Sequence, residues 1–204
     1  MNKNLLIPIF LLLAITGCRS SNEVTTQHYL LETPSEYDFR WEGEPGPIQG
    51  SCEILTPEIA TAYSSHRIAL REKSHQIRYF GFNEWATRPD LALHKMVVDF
   101  MKDNQVFDEL VYGRVAVPAD YVLETEVFHL EVDNRQEVFH ARLQVEFRLR
   151  ENGTDKIVLS HREDRMETLD GRNLNAFAES VSRMFTEELV AFAESITREV
   201  DINR

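Results

Sequence analysis

Seven histidines, 34 carboxylates and two cysteines are the side chains in this 204-residue chain best suited to do chemistry. An enzyme would gather some of them into a nucleophile with its base, a metal cluster or a phosphate cradle. The compact signatures of such sites are missing: no G-x-S-x-G elbow, no G-x-x-x-x-G-K-[ST] loop and no H-E-x-x-H pair. The eight glycines are not clustered for phosphate. His66 and His75 are placed to face each other across a hairpin, with His94 on the helix that follows, and these three come nearest to a zinc site. His140 and His161 are placed as cross-strand neighbours, with Arg142 and Glu163 close by. Surface and packing roles account for all five, so no enzyme, metal or cofactor is expected.

The cysteines are informative by position. Residues 1–17 read MNKNLLIPIFLLLAITG, with Lys3 ahead of an apolar run from Leu5 to Ile15. That run is shorter than the roughly 20 residues a membrane-spanning helix needs, and it fits a secretory signal peptide. Its end, Ile15-Thr16-Gly17-Cys18, resembles the bacterial lipobox. In such signals the cysteine thiol is diacylglycerated, the chain is cut before it, and the new amine is acylated. This reading divides the chain into a signal peptide at 1–17, a lipidated Cys18 with its tether at 18–26, and a domain at 27–204. Each acyl CH₂ buried is worth about 0.8 kcal/mol, so several chains on Cys18 hold the protein firmly. Arg19 stands where Asp would favour inner-membrane retention, so the outer membrane is the expected address. The tether Arg19–Thr26 reaches at most about 28 Å when extended. Cys52 is then the one thiol left in an oxidising compartment. It reads as a small buried strand residue, with a mixed disulfide to a partner as the alternative.

Charge excludes other classes. The net −12 argues against a nucleic-acid partner, whose phosphates demand clustered Lys and Arg. It argues equally against charge-driven adsorption to an anionic bilayer. Removing the signal also removes Lys3 and no acid, which leaves the mature chain slightly more acidic.

The elements that must position everything else follow from periodicity. Strands are expected at His28–Leu31, Ile48–Leu55, Arg67–Arg71, His75–Phe80 and Phe107–Gly113. Leu93, Met96, Val97, Phe100 and Met101 recur at helical spacing, so a helix is expected from Pro89 to Asn104. Tyr121–Val132, Phe139–Leu149 and Lys156–Glu163 form an antiparallel meander, with Asn152-Gly153 as one turn. Phe139 to Leu149 alternates strictly, the mark of one buried and one wet face. Phe177, Val181, Met184, Phe185, Leu189, Phe192 and Ile196 form the stripe of a long helix at about Asn173–Val200. Two helices and roughly seven strands need one shared core, which gives a single α/β domain with a mixed sheet.

Glu32–Gly50 is read as mainly loop because of its prolines and glycines. Within it Tyr37, Phe39 and Trp41 alternate with Asp38 and Arg40. They form either a short strand or loop pinned on the core, or an apolar contact surface for a partner or lipid. Trp85, in FNEWATRP, is either a core anchor at the helix entry or a ligand contact.

The order of pieces resembles the ABC-type transport auxiliary lipoprotein component family, the PqiC- and YmbA-like lipoproteins. The matching pieces are Cys18, then Tyr29-Leu30-Leu31, the strand before Pro57, Ile68-Ala69-Leu70-Arg71, Ile77-Arg78-Tyr79-Phe80, Trp85-Ala86 and Pro89. The helix through Met101, the Phe107 strand, YVLETEVFHLEV and the last helix complete them. The segment Tyr37–Pro47 is longer and more aromatic than that pattern. The resemblance implies a periplasmic domain similar to the anticodon-binding-like or TolB N-terminal arrangement. It also implies a non-enzymatic auxiliary role in ABC-type phospholipid transport that supports membrane integrity, with an MCE-domain protein as partner. A homo-oligomeric collar around a tunnel would suit that docking role. A lipid-binding carrier with an internal apolar cavity, or a structural or assembly lipoprotein that handles no lipid, are the alternatives.

Overall fold

The computed structural model describes residues 25–41, 47–111, 118–154 and 156–202. The signal peptide and Cys18 lie outside these residues, as does part of the Tyr37–Pro47 segment. The elements in chain order are β1 (Gln27–Tyr29), β2 (Ile48–Ile54), β3 (Glu58–Ile59), β4 (Arg67–Lys73), β5 (Gln76–Trp85), α1 (Pro89–Asp103) and β6 (Phe107–Val111). Then come β7 (Tyr121–Asp133), β8 (His140–Glu151), β9 (Ile157–Thr168) and α2 (Leu174–Ile202). The fold is mixed α/β, one nine-stranded sheet carrying two helices. Among the described residues no helix is long and apolar enough to cross a membrane.

The spine is β7. On one side it pairs antiparallel with β8 along its whole length, and β8 pairs antiparallel with β9, which is the expected meander. On the other side three short strands lie end to end against it, all parallel. β2 meets Tyr121–Leu123, β3 meets Glu126–Val127, and β4 meets Glu131–Asp133. Beyond them the sheet divides. One branch adds β6 to β2, and the other adds β5 and then β1 to β4.

Alternation decides which face is buried. Ala141, Leu143, Val145, Phe147 and Leu149 of β8 are all 0% exposed and meet α2. Each large one contributes about 1.5–3 kcal/mol on burial. Phe147 is sandwiched by Phe185 edge-on and Phe192 stacked, both with ring centres 5.4 Å away. Asn173 caps α2: its Oδ1 accepts the amides of Asn175 and Ala176, both at 3.1 Å. Pro89 opens α1, where its missing N–H costs nothing. α1 lies over β2, β3 and β6, and α2 over β8, β9 and β1.

Three strands differ from the sequence expectation, and the first is β5, which runs on five residues past Phe80 to Trp85. β3 is only two residues long and leaves no periodic trace. β9 continues five residues past Glu163 to Thr168, although its second half has no apolar alternation. Its helix-facing residues are charged and find charged partners on α2, so the strand persists without an apolar face.

Candidate functional site

The aromatic segment is placed first. Tyr37 and Phe39 are half-buried, and their rings lie 5.5 and 5.4 Å from that of Phe100 on α1. Trp41 packs edge-on against Phe39 at 5.7 Å. Asn104, the C-cap of α1, donates from Nδ2 to the Tyr37 hydroxyl at 3.0 Å. The segment forms no strand: it is chain pinned on the core by its rings, each of which stays partly exposed. Trp85 is separate from it. At 2% exposure, with its ring 5.6 Å from Phe177, it is a core anchor and leaves the candidate contact surface.

The histidine pairings are corrected by register. His66 precedes β4 and donates from Nδ1 to the Trp85 carbonyl, 2.8 Å away, whereas His75 sits in the β4–β5 turn at the other end of the hairpin. They do not face each other. His94 instead reaches the Leu55 carbonyl at 3.3 Å. His140 pairs with Thr168 and His161 with Phe147, so they are not cross-strand neighbours: one stands at a strand end and the other in the strand interior. Among the described residues no three His, Cys, Asp or Glu converge as a metal site. Cys52 is 0% exposed, and burial pushes its thiol up to about 12, which leaves no accessible thiolate for a mixed disulfide.

The richest polar constellation is one the sequence did not announce. On the sheet face opposite the helices, the Glu131 side chain is fully buried. It accepts from Arg71 Nε at 2.7 Å and from the Tyr63 hydroxyl at 2.7 Å. Tyr63 in turn accepts from Arg71 Nη2 at 2.8 Å and lies 3.0 Å from His129 Nδ1. Arg142, the cross-strand partner of Glu131, grips Asp164 with two hydrogen bonds of 3.0 and 2.8 Å. Burial and the adjacent Glu131 carboxylate push the Tyr63 phenol up to about 12. Burial, and then the Arg142 charge, hold His129 below its ordinary value. The hydrogen bond from Arg142 holds Asp164 below the usual carboxylate range. Every charge here is answered, so the cluster acts as a fastener. It ties the chain between β3 and β4, through Tyr63, onto β7, β8 and β9. A carboxylate at alternate strand positions looks exposed in sequence, and only the Tyr63 crossing reveals that Glu131 is not.

A second ionic seam joins β9 to α2. Glu188 is hydrogen-bonded by His161 Nε2 at 2.8 Å and by Arg165. Arg165 also meets Glu187 at 3.0 Å, and Arg183 meets Glu167. Burial opposes the Glu188 charge, yet His161 and Arg165 hold its carboxyl below the usual range.

Among the described residues two clefts stand out by size. The larger, about 990 Å³, is an open groove between β1 with the chain after it and the first turns of α2, lined by Tyr29, Leu30, Pro34 and Ala178 among others. The second, about 730 Å³, lies where β2, the start of β7 and the β8–β9 turn meet. Neither is an enclosed apolar chamber of the kind a lipid carrier needs.

Residues 29–193 match the family model for the ABC-type transport auxiliary lipoprotein component. Among solved structures, a Xanthomonas campestris protein of the DUF330 family superposes with a TM-score of 0.70 at 16% identity, over 88% of this chain and 99% of that one. An uncharacterized protein superposes at 0.62 with 11% identity, over 84% and 99% of the two chains. At these identities the likeness is one of fold. No curated protein matches the chain.

Proposed function

Because the chain belongs to the ABC-type transport auxiliary lipoprotein component family, we propose that it is a non-enzymatic accessory of an ABC-type phospholipid transporter, anchored through acylated Cys18 to the periplasmic side of the outer membrane. The signal at 1–17 is removed, residues 18–26 tether the anchor, and residues 27–204 form the docking domain. Its partner is the MCE-domain protein of the transporter, and a homo-oligomeric collar of such domains gives that partner a ring to dock on. The covalent diacylglycerol and N-acyl chains are its only prosthetic chemistry.

The observation that carries this reading is the family match across nearly all of the mature chain, with a lipobox cysteine placed just ahead of it. The packed core supports the accessory role over a carrier, since α2 fills the apolar face of β8 with Phe185, Phe192 and their neighbours. Cys18→Ala should leave an unlipidated precursor that incorporates no labelled palmitate. Crosslinking in cells should capture an MCE-domain protein, and deletion should sensitise the envelope to detergent. If the wild-type chain neither captures such a protein nor affects envelope lipid balance, the transport reading fails.

A further inference from the structure

Residues 32–41 run between the two helices in the same sense as α2. The Glu32 amide donates to Ser182 Oγ and the Arg40 amide to Glu194 Oε1, both at 3.2 Å. Those two attachment points are about 18 Å apart along a helix. Eight extended residues span up to about 28 Å, so the segment is stretched but not taut. Its rings pack on α1 while its amides bond to α2, so it bridges the two helices.

Its attachment is unusual. Among the described residues, no backbone-to-backbone hydrogen bond ties 32–41 to the fold. The segment holds on through the two amides above, the Asn104–Tyr37 bond, and the rings of Tyr37 and Phe39 on Phe100. Between those rings Asp38 and Arg40 point outward and pair with each other at 2.7 Å, largely in water. Exposed as they are, they contribute little to anchorage, the Arg40 charge being drawn weakly to Glu194 of α2. Segments with few buried contacts and no ladder hydrogen bonds open at a lower free energy than the core beneath them. Phe100, by contrast, is 1% exposed and belongs to the core of α1.

We propose that residues 32–41 are a displaceable strap, and that the seam beneath it, centred on Phe100, is a docking surface for an extended partner segment with aromatic side chains at alternate positions. The strap itself shows the chemistry of the occupant: one aromatic ring on each side of Phe100 and polar residues between them. A competing segment of that pattern regains the same ring contacts, and the strap's outward ion pair loses nothing when it lifts. The surface serves the docking role proposed above, and that role is the only part of the inference that rests on the transport reading.

The test needs only the purified full chain and a fluorescently labelled peptide of the strap's own sequence, Glu36–Trp41. Tyr37→Ser with Phe39→Ser vacates the seam. The peptide should bind this variant at least about tenfold more tightly than wild type, the factor lost when a site is closed nine-tenths of the time. Adding Phe100→Ala should abolish the gain, and a peptide with its three aromatics changed to serine should not bind. Equal binding to the vacated and wild-type chains, or binding indifferent to Phe100→Ala, overturns the proposal. If the double variant does not melt cooperatively, Tyr37→Phe decides, because it removes the bond from Asn104 to the strap and leaves the rings and the Asn104–Phe100 bond that closes α1 in place. Tighter peptide binding than wild type supports the strap, and unchanged binding refutes it. Either result leaves the transport reading standing or falling on its own experiments.

Discussion

The two faces of β8 solve the same problem by opposite means. On the helix side five side chains from Ala141 to Leu149 are sealed under α2 by shape alone. On the other side Arg142 shares a cluster with Glu131, Arg71, Tyr63 and Asp164, where burial is tolerated only because every charge is answered. Apolar packing degrades gradually when trimmed, since neighbours relax toward the gap. An ion network fails abruptly when one member leaves, because its partner stays buried and unpaired.

That contrast can be broken directly. Phe147→Ala removes the ring between Phe185 and Phe192 and should cost about 3–5 kcal/mol in urea unfolding. Glu131→Ala should cost about 3 kcal/mol, because Arg71 loses its buried counter-charge. Pairing it with Arg71→Met should recover much of that loss, whereas no second truncation rescues Phe147→Ala. A double-mutant cycle showing simple additivity for Glu131 and Arg71 would remove the distinction. Asn173→Ala, which uncaps α2, should cost about 1 kcal/mol by the same measurement.

The smallest expected effect is in pH. His129 has a folded value below its unfolded one, so the native state resists a proton that the unfolded chain accepts. Its contribution is present above the unfolded value of about 6.5 and is lost as pH falls below it. Glu188, also depressed, adds a further loss at lower pH, as its carboxylate is protonated. Stability should therefore fall from pH 7 to pH 5, and His129→Asn should flatten that slope. An unchanged slope would mean that the cluster does not sense the proton.

Legibility tracked the same division. The Phe139–Leu149 alternation and the Phe177–Ile196 stripe were readable because a single buried face imposes a period. The parallel pairing of β2, β3 and β4 on β7 was not, since nothing local encodes a partner dozens of residues away. Glu131 was invisible because a carboxylate in an alternating strand looks wet until Tyr63 crosses over it. Trp85 was readable only as one of two roles, and the register that carries it onto Phe177 settles which. The Tyr37–Trp41 alternation was noticed, but a period of two suits a ring-pinned loop as well as a strand. Only Phe100 beneath it tells them apart.

The end-to-end arrangement of three short strands along β7 has a consequence in time. As the chain emerges from its N-terminus, β2, β3 and β4 appear long before Tyr121, the first residue of the one strand that aligns all three. Contacts of such long sequence separation are slow to close. The order of the three along the sheet therefore stays unset until their common template arrives.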